Sequence, residues 1–205
     1  MVGDPDSAVR RGRLSPMNSV RPLRTAYDPR RRYSAAEFTV LTVDGDDRHE
    51  LHDGLVTVSP TRTPIHMRVL ARMFSQIDSQ ISQGLRVFPE VGIVVDVSSP
   101  TVRVPDLVIT TAAVDQDEPL VRAEDVVLAV EIVSPGSELV DTTVKPFEYA
   151  DAGIPNFWLV DPAPPVTVTV YSLADGNYEE SQRAERGLEV VAPCELRIDL
   201  AALSR

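Results

Sequence analysis

Three residues stand out as able to do chemistry together. Glu131 lies in "DVVLAVEIVS", flanked by Leu128, Ala129, Val130, Ile132 and Val133. A carboxylate in such a run is costly unless it is paired, protonated or bound to a metal. Asp106 follows Pro105 in "TVRVPDLVIT", again among β-branched residues. Lys145 is the only lysine; the other nineteen of the twenty basic residues are arginine. Two carboxylates on neighbouring strands can chelate a hard divalent cation, Mg²⁺ or Mn²⁺, which takes one or two carboxylates with water and phosphate oxygens. The backbone carbonyl of Ile132 would be a third protein ligand. An ammonium beside the ion could orient a water, lower its pKa or neutralise a phosphate, as a point charge that arginine does not imitate. The bland alternatives are a strand-ending aspartate, an outward-facing glutamate and an ordinary surface lysine, and a spacing of 25 residues between the acids suits many strand pairs.

These residues need a sheet to hold them. "DVVLAVEIVS" reads as a strand buried on both faces. "LRVFPEVGIVVDVS", "TVRVPDLVIT", "NFWLVDP" and "VTVTVYSL" read as further strands, and "HELHDGLVTVSP" as a hairpin turning at Asp53-Gly54. Ser34 and Glu37 form a capping-box pattern for a short helix over 34–41, which "DGDD" breaks. The clearest helix starts at Thr63-Pro64, carries Ile65, Val69, Leu70, Met73, Phe74, Ile77 and Ile81 on one face, and stops by Gly84. A last helix ends at Ala152-Gly153. The order α–β–α–βββ–α–ββ predicts a mixed α/β domain around a central sheet.

The chain of 205 residues carries a net charge of −11, unevenly spread. Residues 1–32 hold eight arginines against Asp4, Asp6 and Asp28, a balance of +5 that leaves −16 for the rest. This segment lacks apolar periodicity and reads as a disordered arginine-rich arm, with the domain over 33–205. It is either a loose nucleic-acid contact or a solvated tail. So acidic a domain gains no general attraction to nucleic acid. Cys194 is the only cysteine, so no internal disulfide can form, in keeping with a cytoplasmic location. No apolar run reaches the roughly 18 residues that span a bilayer, and no signal-peptide core opens the chain.

The order "PDLVI … VEIVSPGS … D…K…Y…AGIPNFWLVDP", preceded by "YSAAEF … HELHDGLVTVSP … H", resembles the Uma-two family of the restriction-endonuclease-like, PD-(D/E)xK, superfamily. The likeness runs from about Tyr33 to about residue 200. It implies a mixed central sheet flanked by helices and metal-dependent endonuclease chemistry on nucleic acid, usually DNA. Residue by residue, it makes Asp106 and Glu131 the motif acids. The superfamily lysine would stand two residues after Glu131, where this chain has Val133; the family pattern carries it on the next helix, at Lys145. Glu50 matches an acidic residue of the first hairpin, as a metal ligand or its support. His66 matches a helix histidine that binds phosphate or orients Glu50, against the plainer reading of a satisfied core histidine. Tyr149, one turn after Lys145, either bonds a catalytic carboxylate or packs in the core. Asp141 can pair with Lys145 at i, i+4, a surface pairing by default. Relatives imply pairing of chains, hence an expected homodimer.

One feature cuts against the pattern. Pro146 disfavours helical angles at Lys145, so the helix is expected to start late and to move the ammonium. Two functions follow. The first is a divalent-metal-dependent endonuclease, with Arg62, Arg68, Arg72 and Arg103 as local positive charge. The second is a catalytically inactive binding or assembly module on the same fold. A hydrolase of small phosphate compounds is a third, weaker reading.

Overall fold

Val126–Ile132 is apolar at every position but Glu131, and it lies at the centre of the molecule. The computed structural model describes residues 25–42, 48–59 and 62–205. Along these run β1 (Thr25–Ala26), α1 (Ala35–Phe38), β2 (Leu41–Thr42), β3 (His49–His52), β4 (Leu55–Val58), α2 (Pro64–Asp78), β5 (Leu85–Pro89) and β6 (Gly92–Asp96). There follow β7 (Thr101–Arg103), β8 (Leu107–Thr111), β9 (Leu120–Arg122), β10 (Val126–Ile132), a π-helical turn (Val140–Val144) and α3 (Lys145–Asp151). The chain closes with β11 (Asn156–Asp161), β12 (Thr167–Ala174), β13 (Asn177–Ala184), β14 (Gly187–Val190) and β15 (Leu196–Asp199).

The central sheet has the order β13-β12-β11-β10-β8-β5, with β10 parallel to β11 and every other pair antiparallel. Successive side chains alternate between its faces. Leu107, Ile109, Leu128, Val130, Ile132, Trp158 and Val160 pack with Val69, Leu70, Met73 and Ile77 of α2 and with the β14–β15 hairpin. Val108, Ala129 and Phe157 face the other way, onto Tyr149 of α3, Ile93 and Val121. A second sheet, β4-β3-β7-β6-β9, holds the first hairpin. The expected mixed sheet flanked by helices is what forms. Among the described residues no helix is long and apolar enough to cross a membrane.

Two segments that read as single strands each divide between the sheets. β5 leaves the central sheet at Glu90, whose φ of 54° turns the chain into β6. β7 passes into β8 through Val104-Pro105-Asp106, because Pro105 has no N–H with which to continue a ladder. Asp106 therefore sits where the chain crosses from one sheet to the other.

The capping signals act as expected. Thr63 Oγ1 accepts the His66 amide at 3.3 Å, with Pro64 in the first turn. α2 stops at Asp78, before Gly84, because the Ser79 hydroxyl bonds back to the Gln76 carbonyl at 2.9 Å. The apolar period that runs on to Ile81 reflects packing rather than helix. α1 ends at Phe38, short of residue 41, where the β-branched Thr39 and Val40 disfavour further helix. In its capping box Ser34 Oγ accepts the Glu37 amide at 3.2 Å and Glu37 Oε2 accepts the Ser34 amide at 2.9 Å. Ser34→Ala is expected to cost about 1 kcal/mol and to lower Tm by about 2–4 °C in a domain of this size. An unchanged melting curve would show that the box contributes nothing.

Residues 1–24 of the arginine-rich arm and the "DGDD" breaker at 44–47 lie outside the described residues. The described part of the arm starts at Thr25. β1 pairs in parallel with β2, Arg31 lies 4.9 Å over the Tyr33 ring and pairs with Glu37, and Arg32 pairs with Asp53 at 3.6 Å. The last arginines of the arm thus find acids on the helix and hairpin beside them.

Candidate active site

The ladder between β8 and β10 ends at Leu107↔Val130, so Asp106 and Glu131 occupy the next rung. Their side chains then part. The Ile132 amide has no strand partner beyond the ladder, and Asp106 Oδ2 accepts it at 2.7 Å. This turns the Asp106 carboxylate towards α2, where Oδ1 lies 3.1 Å from His66 Nε2, 3.3 Å from Arg62 and 3.4 Å from Arg48. His66 Nδ1 lies 2.8 Å from Ser134 Oγ. The histidine thus orients Asp106, not Glu50 as one sequence reading had it, and it is buried and satisfied. Burial pushes Asp106 up, but the His66 hydrogen bond and charge, Arg48 and the Ile132 amide together hold it below its ordinary range.

Glu131 faces α3. Tyr149, fully buried in the core, donates its hydroxyl to Glu131 Oε1 at 2.6 Å. Lys145 Nζ lies 3.0 Å from the same oxygen, 3.0 Å from Asp141 Oδ1 and 3.4 Å from Glu50 Oε1. Lys145 and Asp141 are 2% and 3% exposed, which corrects the surface reading of both. Glu131 Oε2 is buried with no hydrogen-bond partner among the described residues. Burial pushes the Glu131 carboxyl up to about 8; Lys145 opposes the shift, and the charges of Asp141, Asp106 and Glu50 add to it. Burial works against the Lys145 ammonium, but Glu131, Glu50 and Asp141 outweigh it and raise its pKa. The ammonium therefore keeps its proton throughout the neutral range.

Pro146 does not displace the lysine. Lys145 is fully helical (φ −60°, ψ −41°), and the preceding turn widens to π geometry, which accommodates a ring that has no N–H to give to the helix. The helical path is continuous from Val140 to Asp151, and the ammonium reaches Glu131.

Glu50 is anchored on β3. Its Oε1 accepts the Val104 amide at 3.0 Å, and Oε2 pairs with Arg103 at 3.1 Å. Burial pushes Glu50 up, but Lys145, Arg103 and Arg48 bring it below its ordinary value. Arg103 also forks onto Glu148 at 2.6 and 2.7 Å. The other arginines expected to draw in nucleic acid are likewise engaged. Arg62 pairs with Glu90 and Asp106, while Arg68 and Arg72 bond the carbonyls of Ser204 and Ala202. The residue that sequence reasoning missed is Arg48. A signal for it was present, because Arg48 and Glu50 are two apart beside a strand and so share a face.

A cleft of about 330 Å³ opens between the first hairpin and the loop that leads to α3; Arg48, Glu50, Arg103, Ser137, Asp141 and Lys145 line it. Glu131 and Asp106 do not line it but touch two residues that do, Lys145 at 3.0 Å and Arg48 at 3.4 Å. An apolar cavity of about 260 Å³ on the outer side of α3, beside Phe147, Tyr171 and Tyr178, contains no acid or base.

Among the described residues no group of three or more His, Cys, Asp or Glu side chains forms a metal-ion cluster. The donor set expected from the sequence is smaller: two carboxylates and the Ile132 carbonyl, which leaves β10 on the same edge as the amide bound to Asp106. Two observations fit a divalent cation. One is the unpartnered Glu131 Oε2. The other is charge: six carboxylates (Glu50, Glu90, Asp106, Glu131, Asp141, Glu148) meet four cations (Arg48, Arg62, Arg103, Lys145), an excess of two negative charges when all six are ionised.

The family model described as "Uma2: Putative restriction endonuclease" matches residues 35–202. No curated protein matches the chain. Among solved structures, "a putative nuclease belonging to DUF820 from Anabaena variabilis" is similar in fold, with a TM-score of 0.62 at 19% identity over 80% of this chain and 95% of that one.

Proposed function

Because the chain belongs to the Uma2 family, we propose that it is a divalent-metal-dependent endonuclease acting on nucleic acid, DNA in the first instance. The observation that carries this reading is Glu131 Oε2, a buried carboxylate oxygen with no partner among the described residues, in a cluster where carboxylates outnumber arginines and lysine six to four. Asp106, Glu131 and the Ile132 carbonyl would hold Mg²⁺ or Mn²⁺. Such an ion, when bound, polarises the phosphoryl oxygen and lowers the pKa of a water.

The protein's own groups have separable tasks. Tyr149 fixes Glu131 through Oε1, so that Oε2 is the oxygen left to present. His66, braced by Ser134, fixes Asp106 through Oδ1. Lys145 acts by charge: it opposes the negative charge that builds on the phosphoryl group and orients the attacking water. Glu50 and Asp141 hold the ammonium at the floor of the cleft.

A second reading has one observation in its favour. Asp106 Oδ1 is already surrounded by His66, Arg48 and Arg62, as in an assembly module that needs no ion. Cleavage separates the two. Supercoiled plasmid and single-stranded DNA at low salt with Mn²⁺ or Mg²⁺ are expected to be cut by wild type and spared by Asp106→Ala and Lys145→Ala. Substitution of either group should cost at least about 10²-fold in rate. Absence of cleavage, or cleavage that survives both substitutions, would favour the module. Turnover of a small phosphodiester without strand scission would favour the small-substrate hydrolase.

A further inference from the structure

We propose that Arg48 is a phosphate-binding residue that guards the metal site, exchanging Asp106 for a nucleic-acid phosphate when cation and substrate enter. The proposal rests on the nuclease reading above. Among the described residues Arg48 is the cleft-lining cation that reaches Asp106. It lines the cleft and is 19% exposed at its side chain, yet its guanidinium lies 3.4 Å from Asp106 Oδ1 and donates to the Val104 carbonyl at 2.5 Å. The charges of Glu131, Asp106, Glu50 and Asp141 all act on it. Its Nε is buried without a partner among the described residues.

The other cations are each fixed by a second acid. Arg103 forks onto Glu148, Arg62 pairs with Glu90, and Lys145 is held by three carboxylates. Among the described residues Arg48 has one ion pair, and it is with a residue expected to hold the metal. A divalent cation at Asp106 repels that guanidinium. A phosphate in the cleft offers it the bidentate partner that suits its planar fork. In the resting protein Arg48 instead neutralises Asp106. This accounts both for a carboxylate surrounded by donors and for how so acidic a chain retains a positive group for its substrate.

Opposite effects on cation and nucleic acid are the signature, because a merely structural arginine would weaken both. Titration of Mn²⁺ into folded Arg48→Gln is expected to show binding about tenfold tighter than wild type, since a competing positive charge is gone. Affinity for a short DNA duplex, measured in Ca²⁺ without cleavage, should fall about tenfold, with a salt dependence shallower by about one counterion. Arg48→Lys keeps the charge without the fork; it should bind Mn²⁺ within about twofold of wild type and still bind DNA more weakly. It also serves as the test if Arg48→Gln does not fold. Wild type that binds Mn²⁺ while Arg48→Gln binds it no tighter, or either variant with unchanged DNA affinity, would overturn the exchange alone. Wild type that takes up no Mn²⁺ would overturn the nuclease reading as well.

Discussion

Lys145→Met is expected to destabilise the protein by about 3–5 kcal/mol, the usual result of removing one partner from a buried ion pair. In a domain of this size that lowers Tm by about 10 °C. The ammonium is nearly sealed from solvent and lies within 3.4 Å of Glu131, Glu50 and Asp141, which would be left to repel one another in a low dielectric. The loss should grow as pH rises through 8, where Glu131 gives up its proton and comes to need the ammonium. Lys145→Arg is not expected to rescue either stability or cleavage, because a planar fork does not replace a point charge among three carboxylates on separate elements. A methionine variant that melts within 2 °C of wild type at pH 7, measured by calorimetry with Mn²⁺ chelated, would show that the ammonium is not holding the cluster together.

Glu131→Gln should separate stability from chemistry. The Glu131 carboxyl has a folded-state pKa raised to about 8 from an ordinary value of 4.5, chiefly by burial. The folded chain thus holds a proton that the unfolded chain has lost. The stability linked to that proton is fully present below pH 4.5 and disappears as pH rises through 8. Glutamine has no such proton to lose. Wild-type stability relative to the variant should therefore fall from pH 5 to pH 8.5, by an amount on the order of a few kcal/mol. Denaturant melts of the two proteins at several pH values make the comparison, and parallel curves would refute the raised pKa. The same variant should cut DNA at least about 10²-fold more slowly than wild type at every pH, since it removes the charge of the acid proposed to hold the cation.

The acids of the site were legible in the sequence because their surroundings were wrong for them. Glu131 among valines and Asp106 after Pro105 pointed to neighbouring strands, and they occupy the rung beyond Leu107↔Val130. Thr63 and Ser34 announced their helices because an N-cap bond is made within one turn of chain. What was not legible is set by tertiary contact. Asp106 turns away from Glu131 because Ile132 has an amide to satisfy, and no pattern along the chain encodes that. Asp141 and Lys145 read as a surface pair because i, i+4 spacing says nothing of what covers a helix; the first hairpin and Glu131 cover this one. Pro146 argued for a late start to α3, and the π-helical turn absorbs the constraint instead. Arg62, Arg68, Arg72 and Arg103 looked free only while their partners were out of sight.

The most direct test is calorimetric titration of Mn²⁺ at pH 7 in two buffers of different ionisation enthalpy, with wild type beside Glu131→Gln. Wild type is expected to bind the ion and release close to one proton as Glu131 ionises, while the glutamine variant binds at least about tenfold more weakly and releases none. Equal binding by both proteins, or binding by neither, would contradict a metal centre built on Glu131.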